Sequence, residues 1–108
     1  MTTALTLEEA LALPAGPDLD HLIAENLLGW QAIRFGRAYK TGADGSYARA
    51  EFSTNLERAE YVLDRLIGPR HVLAFLEDGW ICGSGDKSGE GETAELAICR
   101  LLLKVFYA

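Results

Sequence analysis

The sequence predicts a single α+β domain, residues 1–108, in which a small antiparallel sheet is packed by about three helices. Apolar residues recur at helical spacing in several separate segments, and one pair of apolar runs flanks a tight turn that is typical of a β-hairpin. The length of 108 residues suits one domain. The predicted order of elements is α-α-(ββ)-α-β-β-α.

Two helices are predicted in the first 30 residues. Thr6 and Glu9 have the spacing of a capping box, and Pro14 ends the short helix that follows. Pro17 suits the first position of a second helix, and Gly29 suits its C-cap. The apolar stripe of this second helix consists of Leu19, Leu22, Ile23 and Leu27.

Residues 30–52 are predicted to form a β-hairpin around a turn at residues 41–46, TGADGS. Gly36 interrupts the first strand of this hairpin. An irregular surface excursion is therefore the alternative for the same segment.

A third helix and a second hairpin follow. Thr54 and Glu57 have capping-box spacing before a helix that Gly68-Pro69 ends. The run HVLAFL at residues 71–76, the turn residues 77–79 and the run WIC that follows predict the clearest hairpin in the chain.

The last two segments are a Gly-rich stretch and an apolar helix. Residues 83–91, GSGDKSGEG, have the composition of a flexible loop. The final helix is predicted from about Thr93 to Tyr107. Because its apolar residues occur on nearly every side, we expect it at the centre of the core.

Three segments of the chain together carry a resemblance to a known protein family. They are LALPAGPDLDHLIAENLLGW at residues 11–30, FSTNLERAEYVLDRL at residues 52–66 and TAELAICRLLLKV at residues 93–105. In their order and spacing they are similar to the phage ABA sandwich domain. The resemblance implies a bacteriophage or prophage gene and a layered α/β fold, but no established activity. Residues 31–51 lie outside the resemblance and are interpreted as specific to this member.

Composition and charge exclude several classes of protein. The formal charge of −6 disfavours general binding to a phosphate backbone. No apolar run approaches the ~20 residues that cross a bilayer, so no membrane association is expected. The N-terminal stretch lacks a basic region and contains Glu8 and Glu9, which is unlike a signal peptide. We expect a cytoplasmic protein in the bacterial host.

Cysteine and histidine spacing gives no indication of a metal site. His21 and His71 have no cysteine or second histidine at the spacing of zinc ligands. Cys82 and Cys99 are expected to be reduced in a cytosolic protein, with a disulfide as the alternative. We therefore predict no metal and no cofactor.

No catalytic residue is predicted either. The Gly-rich stretch lacks both a Gly-Lys-Ser/Thr and a G-x-G-x-x-G motif, and Glu90, Glu92 and Glu95 would repel a phosphate there. A mobile linker is favoured over a nucleotide site. Glu77 and Asp78 are adjacent in a turn, whereas catalytic carboxylates converge from separate elements. We expect a protein without enzymatic activity.

Charge is unevenly distributed along the chain. Residues 30–49 carry four basic residues against one acid, for a net charge of +3, whereas residues 1–29 and 71–96 each carry −5. Basic and aromatic residues together are typical of binding hot spots, and also of single-stranded nucleic acid sites. The alternative is a solvated hairpin whose charges balance the acidic helices. The candidate partner-binding residues are Arg34, Arg37, Tyr39, Lys40, Tyr47 and Arg49 in this strip, and Glu77, Asp78, Asp86, Glu90 and Glu92 in an acidic cluster.

The leading functional hypothesis is a phage accessory protein that binds a host protein or protein complex. Its most specific form is an inhibitor of a bacterial defence system such as CRISPR, with acidic residues occupying a basic nucleic-acid channel. Two alternatives are a nucleotide- or nucleic-acid-binding module, using residues 83–91 or 30–49, and a structural or morphogenesis protein of the virion. Nucleic acid is not expected as a direct ligand, and a homo-oligomer is possible.

Overall fold

A computed structural model describes residues 5–32, 38–40 and 47–107, and of residues 31–32, 38–40 and 47–49 it describes the backbone. The helices among the described residues are α1 (Leu7–Leu11), α2 (Pro17–Leu22, continued by a π-helical turn over Ile23–Leu27), α3 (Leu56–Leu66) and α4 (Ala94–Phe106). Three short strands are β1 (Gln31–Ala32), β2 (Ala38–Lys40) and β3 (Tyr47–Arg49), and three longer ones are β4 (Val72–Leu76), β5 (Gly79–Ser84) and β6 (Lys87–Gly91). The predicted fold class, a small α+β domain, is confirmed.

The strands in the described part of the chain form two antiparallel sheets, with strand orders β1-β2-β3 and β4-β5-β6. The sheet of β4, β5 and β6 has the longer strands and is called the larger sheet below. In it, Leu76 lies opposite Gly79 across the β4–β5 turn, and Ser84 lies opposite Lys87 across the β5–β6 turn. Both turns are two residues long, because residues 77–78 and 85–86 separate the paired strand ends. The predicted hairpin over residues 71–82 is confirmed.

One face of the larger sheet packs on α4. Cys82 is fully buried and lies opposite Gly89 in the register, and Leu73 and Trp80 pack against the same core. Gly89 and Gly91 let the helix approach closely, since a Cβ on Gly89 would lie 2.2 Å from the backbone nitrogen of Leu101. The glycines of β6 therefore form the surface on which α4 packs.

Helix α4 lies at the centre of the core, as predicted. Thr93 caps it by accepting a hydrogen bond from the amide of Leu96 at 3.2 Å. It contacts β5 and β6 on one side and α1 and α3 on others. Eight of its residues are buried, namely Ala94, Leu96, Ala97, Ile98, Cys99, Leu101, Leu102 and Leu103.

The helix ends in the first 70 residues follow the sequence predictions with one exception. The capping box of α1 is present, with Glu9 donating its amide to Thr6 Oγ1 at 3.1 Å and accepting from the Thr6 amide at 2.9 Å. Gly29 and Gly68 both adopt positive φ after their helices. The second predicted capping box is wrong, because Asn55, and not Thr54, caps α3 by accepting from the amide of Arg58.

A buried polar contact joins α2 to the segment before α3. The Ser53 amide donates to Asp20 Oδ1 at 2.7 Å, and the Gly16 amide donates to Ser53 Oγ at 2.8 Å. Asp20 and Ser53 are both buried. Because buried polar groups need partners, this contact fixes how the two segments meet.

The Gly-rich segment 83–91 is not the flexible loop that its composition suggested. Residues up to Ser84 belong to β5, and Lys87–Gly91 form β6. Gly85, at φ +62°, supplies the positive φ that the first residue of a tight hairpin turn requires. The glycines serve backbone packing and a turn, which is why composition alone gave the wrong prediction.

The predicted hairpin in residues 30–52 is described in part. Strands β2 and β3 pair antiparallel, with Tyr39 opposite Ala48, and β1 adds a short third strand that the sequence did not predict. Residues 33–37 and 41–46 lie outside the described residues.

Candidate functional site

An open groove with a volume of about 360 Å³ lies at one end of the larger sheet. Three elements form it: the β4–β5 turn, the paired ends of β5 and β6, and one residue of α4. The register brings Trp80 opposite Gly91, so the end of β6 lies beside the turn. The groove is lined by Leu76, Asp78, Gly79, Trp80, Glu90, Gly91, Glu92 and Arg100.

The groove has an acidic rim and an aromatic wall. Asp78, Glu90 and Glu92 are exposed, while Trp80 is half-buried. Trp80 is held in place by Phe75, whose ring lies 5.2 Å away and edge-on. An aromatic surface beside carboxylates is the chemistry that receives a cationic side chain.

Arg100 closes the helix side of the groove. Its guanidinium donates to the main-chain carbonyl of Glu90 at 2.9 Å. Gly89 lies on the helix side of the sheet and forms a hydrogen-bonded pair with Cys82 of β5. Because successive residues of a strand alternate, the side chain of Glu90 faces away from the helix, and its N–H and C=O point away from β5 to the outer edge of β6. The guanidinium keeps its positive charge, so three acidic residues and one basic residue line the groove and the acidic residues are in excess.

The structure brings together four of the five predicted acidic residues. Glu77 and Asp78 form the β4–β5 turn, and Glu90 and Glu92 lie at the adjacent end of β6. Asp86 does not join them, because it lies in the β5–β6 turn at the opposite end of the sheet, about 17 Å away along β5. The expectation that all five form one face is therefore wrong for Asp86.

The basic aromatic strip is only partly described. Tyr39 and Lys40 belong to β2, and Tyr47 and Arg49 belong to β3, with Lys40 opposite Tyr47. Arg34 and Arg37 lie outside the described residues. A binding role for the strip stays a prediction.

The two cysteines are free and buried, as the prediction of reduced thiols required. Burial raises the pKa of the Cys82 thiol to about 11. Burial also raises the pKa of Cys99 well above its usual value, and the nearby carboxylates of Asp20 and Glu95 add to this. Both thiols are therefore protonated and unreactive at neutral pH.

No metal site or membrane span is present in the part of the chain that the structure describes. No three side chains among residues 5–32, 38–40 and 47–107 form a cluster suited to a metal ion. Within the same ranges, no helix has the length and apolar character needed to cross a bilayer.

Sequence reasoning missed the two residues that give the groove its walls. Trp80 was predicted only as part of a hairpin strand and Arg100 only as part of the final helix, whereas both line the groove. The sequence does contain a signal for a strand here, because glycine and polar residues alternate over residues 88–92. Such alternation is typical of a strand whose glycine face packs closely against the backbone of another element. That pattern would have placed Glu90 and Glu92 beside the turn.

Fold and groove together define a small α+β domain with a charged surface groove at one end of its sheet. The chain belongs to the phage ABA sandwich domain family, whose model matches residues 21–100. The match confirms the resemblance seen in the sequence and also runs through residues 31–51. That this segment is specific to the present member stays a prediction. Comparison with the curated proteins and with the solved structures gives no match.

Proposed function

We propose that this member of a phage-associated domain family is a non-enzymatic accessory protein that binds a basic surface of a host protein through the acidic groove. The observation that supports the proposal is that Asp78, Glu90 and Glu92 all line the groove that Trp80 also lines, with the side chain of Glu90 on the outer face of the sheet. These acids come from a turn and from the end of a distant strand, so the fold gathers charge that the sequence spreads over 15 residues.

The chemistry of the groove suits an inserted arginine or lysine side chain. An indole face attracts a guanidinium or ammonium group, and carboxylates at the rim accept its hydrogen bonds. The aliphatic stem of such a side chain would pack on Leu76, which is 52% exposed. A basic protein surface is therefore favoured as the partner.

The most specific form of the proposal is inhibition of a bacterial defence enzyme such as a CRISPR effector. Enzymes that act on nucleic acid hold the strand in channels rich in arginine and lysine. An acidic groove on a protein with a formal charge of −6 would be steered towards such a channel and would compete with the strand. The electrostatic character of the groove supports this form of the proposal.

The test is affinity capture from a bacterial host lysate with three forms of the chain. They are the unmodified chain, a groove variant with Asp78→Asn, Glu90→Gln and Glu92→Gln, and a control variant neutralised on the exposed side of α3. The control carries Glu57→Gln, Glu60→Gln and Asp64→Asn, so that both variants gain three charge units.

The proposal predicts that the unmodified chain and the α3 control capture the same protein and that the groove variant loses it. Net charge cannot explain such a difference, since the two variants have the same charge. Equal capture by all three forms would show that the groove is not the binding site. Equal loss from both variants would show that total charge, and not the groove, attracts the partner.

A further inference from the structure

The outer edge of β4 is the most exposed apolar feature of the described chain. Val72 is 68% exposed, Phe75 is 66% exposed and Leu76 is 52% exposed. Strand β4 lies at the end of the sheet order β4-β5-β6, and among the described strands only β5 pairs with it. Its sequence VLAFL contains no charge, proline or glycine. Such an edge is a template for another strand.

The other edge of the same sheet, strand β6, is protected against pairing with another strand. Strand β6 has the sequence KSGEG, with two charged residues and two glycines. Arg100 also covers an outward main-chain carbonyl of this edge, that of Glu90, at 2.9 Å. Charged residues and covering side chains are the devices that prevent edge pairing, and the sequence of β4 contains no charged residue.

We propose that the edge of β4 pairs antiparallel with β4 of a second copy of this chain, which joins the two sheets into one of six strands. This goes beyond the proposed function, because it concerns a different partner, a second copy of the chain; the edge shares Leu76 and Asp78 with the lining of the groove. In the pairing centred on Ala74, Val72 lies opposite Leu76 of the second copy, and Leu73 lies opposite its Phe75. Every pair in the five-residue strand is then apolar against apolar.

The backbone directions fit this register. Leu76 closes the two-residue turn with Gly79, so its N–H and C=O point towards β5, as do those of Ala74 and Val72. The N–H and C=O groups of Leu73 and Phe75 therefore point outwards. The register centred on Ala74 places Leu73 of one copy opposite Phe75 of the other. The outward N–H and C=O groups of the two residues can therefore hydrogen-bond to each other across the interface.

Charge at the strand ends favours a second copy over a strand of unrelated sequence. Arg70 lies just before β4 and Asp78 lies just after it, and both are exposed. Antiparallel pairing brings Arg70 of each copy towards Asp78 of the other. Two opposite-charge contacts then flank the apolar pairs, and the two-fold axis passes through Ala74.

The first test is cross-linking through a cysteine at the two-fold axis. Opposite residues in a non-hydrogen-bonded antiparallel pair have Cα atoms about 4.5 Å apart, which suits a disulfide. Ala74→Cys should therefore cross-link rapidly under mild oxidation. Val72→Cys is the control, because it is highly exposed yet would lie about 13 Å from its own copy. The native cysteines are buried and do not interfere.

The second test uses charge at the same position. Ala74→Lys places two ammonium groups opposite each other and should weaken the dimer roughly fivefold in sedimentation equilibrium. A mixture of Ala74→Lys and Ala74→Glu chains should form a heterodimer that is tighter than either homodimer. Ser88→Lys is the control on the opposite strand and should leave dimerisation unchanged.

Three outcomes would overturn the proposal. One is a chain that stays monomeric at all concentrations, which leaves the edge to a strand of another protein or to none. Another is equal cross-linking of the two cysteine variants, which indicates random collision. The third is a dimer that Ala74→Lys leaves unaffected, which places the interface elsewhere. None of these variants alters a residue of the acidic groove, so failure of the dimer and failure of the proposed function are distinguishable.

Discussion

Replacing Gly89 with alanine is the sharpest test of how the sheet and α4 fit together. A Cβ at this position would lie 2.2 Å from the backbone nitrogen of Leu101 and 2.5 Å from the carbonyl oxygen of Ala97. Both neighbours are backbone atoms of a helix, so no side-chain rotation relieves the overlap. The helix and strand must separate by about 1 Å to reach ordinary contact distances.

The cost of this separation is at the upper end of the range for overpacked cores. Inserting one methyl group into a packed core costs about 1–3 kcal/mol. Here α4 carries eight buried residues, and moving it loosens its contacts with both β5 and β6. We expect Gly89→Ala to lower the free energy of unfolding by about 3 kcal/mol, which corresponds to roughly 10–20 °C in Tm.

Gly83→Ala provides a matched control in the neighbouring strand. Gly83 lies on the opposite face, and its Cβ would meet Lys87 O at 3.7 Å, an ordinary contact. Its φ is not positive, so alanine fits and should leave stability unchanged or raise it by about 0.5 kcal/mol. Urea denaturation of both variants measures the difference. Equal urea midpoints for Gly89→Ala and Gly83→Ala would show that α4 does not pack directly against the backbone of Gly89.

Three further predictions concern the core and the first helix. Because burial raises the pKa of Cys82 to about 11, iodoacetamide should label neither buried thiol in the native protein and both in urea, and native labelling would contradict this. Asp20→Ala should cost about 3 kcal/mol in urea denaturation, because the buried Ser53 amide loses its charged acceptor, whereas the exposed control Asp18→Ala should cost less than about 0.5 kcal/mol. Hydrogen bonds from Thr6 lower the pKa of Glu9, so its stabilising effect is present above the usual value and is lost as the pH falls through the lowered one. An NMR titration should place the Glu9 midpoint below 4.5, and a midpoint at or above 4.5 would show that the capping box does not form in solution.

The helices were predictable because local rules determine their ends. The Thr6 capping box, the positive φ of Gly29 and Gly68, and the extent of α4 all follow from residues within a few positions of each other. The same locality explains the hairpin at residues 71–82, where two apolar runs flank a short turn.

The prediction for residues 83–91 failed because of contacts between residues distant in sequence, whereas the α3 cap failed locally, at Asn55 in place of Thr54. Whether a glycine serves flexibility or close packing depends on what approaches it, and α4 approaches Gly89 only in the folded chain. Asp20 lies in α2, and its hydrogen-bond partner Ser53 is 33 positions away in the sequence. The groove unites Asp78 with Glu92 through the register of β5 and β6, which follows only once Lys87–Gly91 is recognised as a strand.

The salt dependence of partner binding tests the central claim, an acidic groove that binds a basic surface, most directly. The dissociation constant of the captured protein should be measured for the unmodified chain and for the groove variant from low to high ionic strength. If carboxylates at the groove rim make the contact, affinity of the unmodified chain falls steeply with salt, and the groove variant is weak throughout. An affinity that does not change with salt, or that is equal for both forms, would contradict the account.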